Sequence, residues 1–415
     1  MIQIVDKHNC CGCEACIQAC PKSCISLVQD EEGFYYPEVD HPSCVDCGLC
    51  EKVCPVINVG KQENPLEVWA AQNNSEEIRK ASSSGGIATM LAESIIEEGG
   101  VVFGVVMNDK CEAVHTFAEK KEQLKAFMGS KYVQSRIGDS YQQVKKFLKS
   151  GRKVLFIGTP CQIAGLKLYL RRDYDNLYTA DFICHGVPSP GVFKWYIQEE
   201  INKFMSARQG RKNSVSFPPI HSIPKGDVQQ PEGLKVLDIR FRDKREGWKK
   251  YSFVLRLAEA TAEGKQNTVS FSGNVTQNTF LRGFCLDLYL RPSCHQCPAR
   301  NFRSGSDITI ADFWGQESLF PEFDSDTGVS SVIVKTRKGQ MLFNSIDNLK
   351  KEERTIDDVI RYNPSLIHSK KENYRRGKFW RLVGTCSFAD AVNRAVNLTL
   401  PEKLISKFLE IIGKA

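Results

Sequence analysis

The sequence has no run approaching the roughly 18 uninterrupted apolar residues of a membrane-spanning helix, so no span is expected. Its start, MIQIVDKHNCC, lacks a basic region followed by an apolar core and does not read as a signal peptide. Nor does it hold a nucleic-acid-binding motif. Lys and Arg are scattered apart from the run Lys370 to Arg381, and nucleic acid is not an expected partner. No composition class is extreme: 41% apolar and 25% charged residues are those of an ordinary globular protein. A length of 415 residues leaves room for about two to three domains.

What the chain does have is cysteine, 17 of them. With no sign of secretion they read as metal ligands in a reducing cytoplasm, not as disulfides. Eight of them fall in a repeat. Cys10, Cys13, Cys16 and Cys20 are followed by Pro21; Cys44, Cys47, Cys50 and Cys54, each 34 positions later, are followed by Pro55. C-x2-C-x2-C-x3-C-P, twice, matches the ligand run of bacterial ferredoxins with two [4Fe–4S] clusters, where the fourth cysteine of each run serves the other cluster. Cys54 is therefore expected with Cys10, Cys13 and Cys16, and Cys20 with Cys44, Cys47 and Cys50. A pair of zinc sites is the alternative, but zinc prefers two separated pairs of ligands. Cys11 and Cys24 stand outside the rhythm and read as spare thiols.

Charge is uneven. Residues 1 to 60 hold three Lys against nine Asp and Glu, a balance of −6, which leaves +13 for the rest of a chain whose net charge is +7. A basic body facing an acidic module is expected to bind it partly through charge, and to face a further anion such as a cofactor phosphate or an acidic partner.

Past a polar linker near Asn58 to Pro65, Leu66 to Gln72 reads as a strand. Ser82-Ser83-Ser84-Gly85-Gly86 then leads into a helix whose apolar positions Ile87, Met90, Leu91 and Ile95 share one face. Such a run at a helix start offers N–H groups, hydroxyls and the positive dipole end to a phosphate, though it is also simply a good cap. Gly129-Ser130-Lys131-Tyr132 allows a lysine on a phosphate beside a ring that stacks, or an ordinary surface pair. Lys153 to Ile157 is an apolar strand, and Gly158-Thr159-Pro160-Cys161-Gln162 carries a T-x-x-Q capping box with Pro at the first helical position. Cys161 then lies in a first helical turn, where the dipole favours a thiolate. Tyr178 to Ile183 is the next strand, ending in Cys184-His185-Gly186. Strand, helix, strand makes a βαβ unit and brings both cysteines to one sheet edge. Cys294-His295-Gln296-Cys297 supplies two more thiols for a third [4Fe–4S] site, with Cys285 in reserve. Zinc on the same four residues, a nucleophilic Cys161 paired with His185, or unligated buried thiols are the alternatives.

Residues 205 to 235 read as an insertion or long hairpin. Leu237 to Phe241 and Tyr251 to Leu257 alternate as antiparallel strands, and Asp307 to Ala311 and Ser331 to Thr336 as further strands. The remainder reads as helical, with amphipathic segments from Ala389 and Pro401.

Seven stretches, SSSGGI, GSKYVQS, GTPCQIAGL, DFICHGVPSP, FRDKREGW, RPSCHQC and DITIADFWG, together resemble the beta-subunit family of coenzyme F-420 hydrogenases and dehydrogenases. Relatives of that family include 7-hydroxymethyl chlorophyll a reductase. The resemblance covers roughly Val68 to Gly315 and implies bound FAD and a [4Fe–4S] cluster in the body. It suggests Ser84, Gly85, Gly86, Lys131 and Tyr132 at the flavin, and Cys161, Cys184, Cys294 and Cys297 as cluster ligands. The expected fold is α+β or α/β. A two-cluster ferredoxin module (1–60) precedes a mixed α/β flavin- and cluster-binding body in two parts (66–150 and 151–328), with a mostly helical tail (329–415). The expected function is an iron–sulfur flavoprotein oxidoreductase. It would pass electrons from ferredoxin or another redox protein through the clusters to FAD, and on to the deazaflavin coenzyme or another organic acceptor. A non-catalytic electron-transfer subunit is the alternative.

Overall fold

The computed structural model describes residues 1–208, 223, 226–260, 266–323 and 326–397. The amphipathic segment expected from Pro401 lies outside them. None of the described helices is long and apolar enough to cross a membrane.

In the N-terminal module the two cysteine runs flank a hairpin of β1 (Ile25–Gln29) and β2 (Tyr35–Val39). A short helix, α1 (Ala15–Ala19), carries Cys16, the third cysteine of the first run. The body is built on one eight-stranded sheet. It takes β3 (Glu67–Asn73), β4 (Val101–Met107), β5 (Ala113–Ala118), β6 (Val154–Ile157) and β7 (Leu177–Phe182). The chain then leaves to form a separate antiparallel sheet from β8 (Leu234–Asp243), β9 (Ser252–Ala260) and β10 (Gln266–Asn274). It returns with β11 (Ile308–Asp312), β12 (Ser330–Val334) and β13 (Leu349–Glu353), giving the order β13-β3-β12-β11-β7-β6-β4-β5.

The central strands β4, β6, β7 and β11 run parallel, and the outer pairs are antiparallel. Their sequences explain why. VVF of β4 and VLF of β6 are apolar on both faces, as strands covered on both sides must be. Val102 and Leu155 face α2 (Ile87–Glu97), which packs Leu91 and Ile95 against them. Phe103, Val154 and Phe156 face the other way, toward Ile163 and Leu166 of α3 (Pro160–Leu170), and join a core that continues into Ala15, Ile25 and Val53 of the N-terminal module. Module and body therefore share one apolar core. Charge adds to it. Arg136 pairs with Glu14 at 2.8 Å, and Arg376 pairs with Glu32.

Beyond the hairpin β1–β2 of the module, three strands of the body escaped the sequence reading. β5 and β10 mix polar and apolar residues without a clean alternation, and β13, Leu-Lys-Lys-Glu-Glu, is a charged edge strand. Among the described residues the region from 329 holds helices, one of them (Phe388–Val396) over the segment expected from Ala389, but it is no separate tail. Its Ser-Ser-Val-Ile-Val strand is buried along its length, so β12 is inserted between β3 and β11 and ties the region into the sheet.

Candidate functional site

The two N-terminal cysteine runs repeat in backbone as well as in sequence. Gly12 and Asp46, 34 positions apart, both have left-handed φ (69° and 51°); so do Glu14 and Gly48 (58° and 69°). Successive left-handed turns of this kind point backbone N–H groups inward, a concavity suited to anions. One cavity is lined by Cys10, Cys13, Cys16 and Cys54, the other by Cys20, Cys44, Cys47 and Cys50. The groupings are crossed between the runs. Cys11 and Cys24 are not remote from them: Cys24 lies 3.4 Å from Cys20, sulfur to sulfur, and Cys11 lines the first cavity.

In the body, β6, α3 and β7 form the βαβ unit. Gln162 Oε1 accepts from the Thr159 N–H at 3.0 Å, and the reciprocal bond completes the capping box. β6 and β7 pair in parallel, so their carboxyl ends share an edge, with Cys161 and Cys184 just beyond. The stretch carrying Cys294 and Cys297 is tied to this edge by a bridge between Pro188 and Leu290, and the Val187 N–H lies 3.4 Å from the Cys294 sulfur. Cys161, Cys184, Cys294 and Cys297 line one cavity of about 640 Å³ including its mouth. Arg300, and the buried pair Lys335 and Asp181 3.9 Å apart, stand on its wall. Cys11 is on that wall too, and the thiols of Cys13 and Cys161 both influence its ionisation.

The protein alone disfavours thiolates here. The Cys11 contact and burial push the Cys161 thiol well up, overriding the helix dipole invoked from sequence. Burial and the neighbouring cysteines push Cys184 up strongly, Cys294 to about 12 and Cys297 to about 11. Any metal bound here would have to displace the protons these thiols hold. Among the described residues no three His, Cys, Asp or Glu are gathered as for a single ion. One zinc would need its thiolates within about 4 Å of each other, given bonds of about 2.3 Å.

His185 does not form the base of a Cys161 nucleophile. It turns its Nε2 to Asp287 at 2.5 Å and stands edge-on to Phe284. Cys285, the reserve ligand, lies beside Tyr251 and outside the cavity.

The residues suggested at the flavin form a second, tighter assembly. Ser83 and Ser130 meet at 2.7 Å, joining the serine-glycine turn to the Lys131 segment. Ser84 Oγ donates to the Val329 carbonyl and the Gly85 N–H donates to Ser330. Lys131 Nζ donates to the carbonyls of Ala126, Phe127 and Met128, each at 3.0 Å. Tyr132 packs on Phe284 and Phe241. Sequence reasoning missed Lys244, which donates to the carbonyls of Arg79, Ser84 and Thr327. It also missed Arg242, paired with Asp312 at 2.5 Å and lying over Tyr251. Both come from FRDKREGW and meet DITIADFWG, where Trp248 stacks on Trp314 at 4.7 Å. Burial depresses both Lys131 and Lys244 to about 7. Carbonyls are the hydrogen-bond acceptors of both lysines, and Arg242 Nε and Nη2 and Ser82 Oγ are buried without any. The lysines' N–H groups are thus taken up by the protein itself, and the unpartnered donors of Arg242 and Ser82 are the ones left for an anionic ligand.

Three family models match the chain. Residues 9–58 match a 4Fe-4S dicluster domain. Residues 68–140 match the N-terminal model, and 151–207 with 223–358 the C-terminal model, of the coenzyme F420 hydrogenase/dehydrogenase beta subunit. The coenzyme F420-dependent sulfite reductase of Methanocaldococcus jannaschii is 26% identical over 179 residues, 40% of this chain and 26% of that protein. A subunit of the F(420)H(2) dehydrogenase of Methanosarcina mazei is 20% identical over 175 residues, 40% of this chain and 50% of that protein. The matched region thus spans between a quarter and half of these relatives' length. A chain of the F420-reducing [NiFe] hydrogenase complex from Methanosarcina barkeri aligns over 81% of this chain and 92% of its own, at 17% identity and a TM-score of 0.41. With its two models together matching well over half of the sequence, the chain belongs to the coenzyme F420 hydrogenase/dehydrogenase beta-subunit family and carries a 4Fe-4S dicluster domain in front of it.

Proposed function

We propose that this protein is a cytoplasmic iron–sulfur flavoprotein oxidoreductase. It takes electrons from a ferredoxin or similar one-electron carrier and delivers them to a two-electron organic acceptor, either the deazaflavin coenzyme or another substrate. The observation that carries the reading is the contiguity of the cysteine-lined cavities: Cys11 is on the wall of one in the module and one in the body. Cys10, Cys13, Cys16 and Cys54 would hold one [4Fe–4S] cluster and Cys20, Cys44, Cys47 and Cys50 a second. Cys161, Cys184, Cys294 and Cys297 would hold a third, with FAD against Ser84, Gly85, Gly86, Lys131 and Tyr132. Bound clusters supply one-electron steps and bound FAD couples them to two-electron chemistry.

The chain's own part is to hold, orient and exclude water. Burial of Cys13, Cys16 and Cys54 shields the first N-terminal site, whereas the second has only Cys50 buried and leaves Cys47 exposed. Lys131, Lys244 and Arg242 would neutralise a dinucleotide's phosphates, and Tyr132 would border its ring. Anaerobic purification with iron, sulfide and flavin analysis tests this directly. About twelve irons per chain and released FAD are expected; about eight irons, or no flavin after reconstitution with FAD, would remove the body cluster or the flavin from the reading. A second reading, a relay subunit without turnover of its own, is favoured by the name of the M. mazei relative, a dehydrogenase subunit. Acceptor reduction by the isolated chain decides between them.

A further inference from the structure

Arg291 is 1% exposed, yet among the described residues no carboxylate lies within ion-pair distance of its guanidinium. A buried charge without a close partner is unfavourable; the Asp30 carboxyl feels it from beyond ion-pair distance, and a closer negative counterpart is left to its other surroundings. Its neutral partners are Gln134 Oε1 at 2.8 Å, the Tyr35 carbonyl at 3.0 Å, and the rings of Tyr36 and Phe34 at 4.2 and 5.3 Å. The remaining contacts are with cysteine. Nε donates to the Cys10 carbonyl at 2.7 Å and Nη2 reaches the Cys10 sulfur at 3.4 Å. Cys11 and Cys294 stand within its field. On its own backbone, the Arg291 carbonyl accepts from the Cys294 N–H at 2.8 Å. One residue thus grips a cysteine of the module's first cavity with its side chain and sets the turn of a cysteine of the body cavity with its backbone.

We infer that Arg291 is the cation placed between two cluster sites, a positioning residue that fixes their separation and favours the reduced form of both. The inference rests on the proposed body cluster. A cubane with four thiolates changes from about −2 to −3 when it gains one electron, with no bond made or broken. A guanidinium buried away from water beside these sites stabilises the more negative state, and an N–H directed at a ligand sulfur acts in the same sense. The second N-terminal site, around Cys44, Cys47, Cys50 and Cys20, lies outside Arg291's contacts and serves as the internal control.

The test uses the full chain, purified anaerobically as wild type, Arg291→Met and Arg291→Lys, with iron and sulfide counts and redox titration followed by electron paramagnetic resonance. Loss of a signal in Cys47→Ser assigns the control cluster. In Arg291→Met the reduction constants of the Cys10 cluster and the body cluster should fall about tenfold, about 59 mV for a one-electron couple, while the control stays in place. Arg291→Lys keeps the charge and should show the smaller shift. Full iron with no shift in the Met variant, or an equal shift in the control cluster, overturns the inference. If the Met variant fails to hold iron, the Lys variant decides: iron retained with near-native potentials upholds the charge role, and equal iron loss overturns it. About eight irons in the wild type would sink the body-cluster reading by itself. The Cys10 cluster would then still uphold the charge role by shifting, or overturn it by not shifting.

Discussion

The module draws each of its cysteine cavities from two runs 34 positions apart, whereas the body draws one cavity from positions 161, 184, 294 and 297. Short loops are cheap to close, and the left-handed turns at Gly12 and Asp46, Glu14 and Gly48 shape the module's sites locally. The body cavity exists only once a parallel βαβ unit has formed and a distant turn has been pinned to its edge by Val187 and Leu290. The first kind of site depends on the body only where the shared core touches it, as at Cys13. The second reports on the body's fold.

Breaking one ligand in each region is the largest test. Cys184→Ala should remove about four irons of about twelve and leave the module's spectrum unchanged, whereas Cys20→Ser should strip the cluster of Cys44, Cys47 and Cys50, not that of Cys10. Loss of the Cys10 signal in Cys20→Ser would show that the crossed grouping is wrong. A smaller effect separates module from body without touching cysteine. Arg376→Met leaves the half-buried Glu32 without its partner, and about 2–3 kcal/mol of stability should go in chemical unfolding. Next comes the shared core. A Cβ at Gly165 of α3 would stand 3.0 Å from the Cys13 sulfur, so Gly165→Leu should cost about 1–3 kcal/mol and perturb the first module cluster before the second. Thermal melts and the two cluster signals check it.

The smallest effect concerns the flavin assembly. Lys244 is depressed to about 7 by burial and then by Arg242. Between pH 7 and about 10.4 the unfolded chain therefore binds more protons at this side chain than the folded one. In the flavin-free protein, the stability of wild type relative to Lys244→Met should rise with pH across that window and stay level below it. A phosphate at Lys244 restores the ammonium, so binding FAD at pH 8 should take up protons. Calorimetry in two buffers of different ionisation enthalpy measures the uptake, and release of protons would place the phosphate elsewhere.

Sequence alone carried the local features. Eight cysteines at a fixed spacing, a capping box after an apolar strand, and a serine-glycine helix start each encode a short-range geometry, and those segments fold as their patterns suggest. It also brought Cys161 and Cys184 to one edge, because a βαβ connection leaves few other arrangements. Neither Cys11 nor Arg291 could be given a role that way. In the sequence one is a cysteine off the rhythm and the other an arginine before a proline; only docking of the module on the body sets the first between two cavities and the second against Cys10. The same holds for Lys244 and Asp312, and for β12, whose place between β3 and β11 joins residues far apart in the chain. Spacing encodes what neighbouring residues do to one another, while contacts across a hundred positions or more are selected by the packing of the whole core.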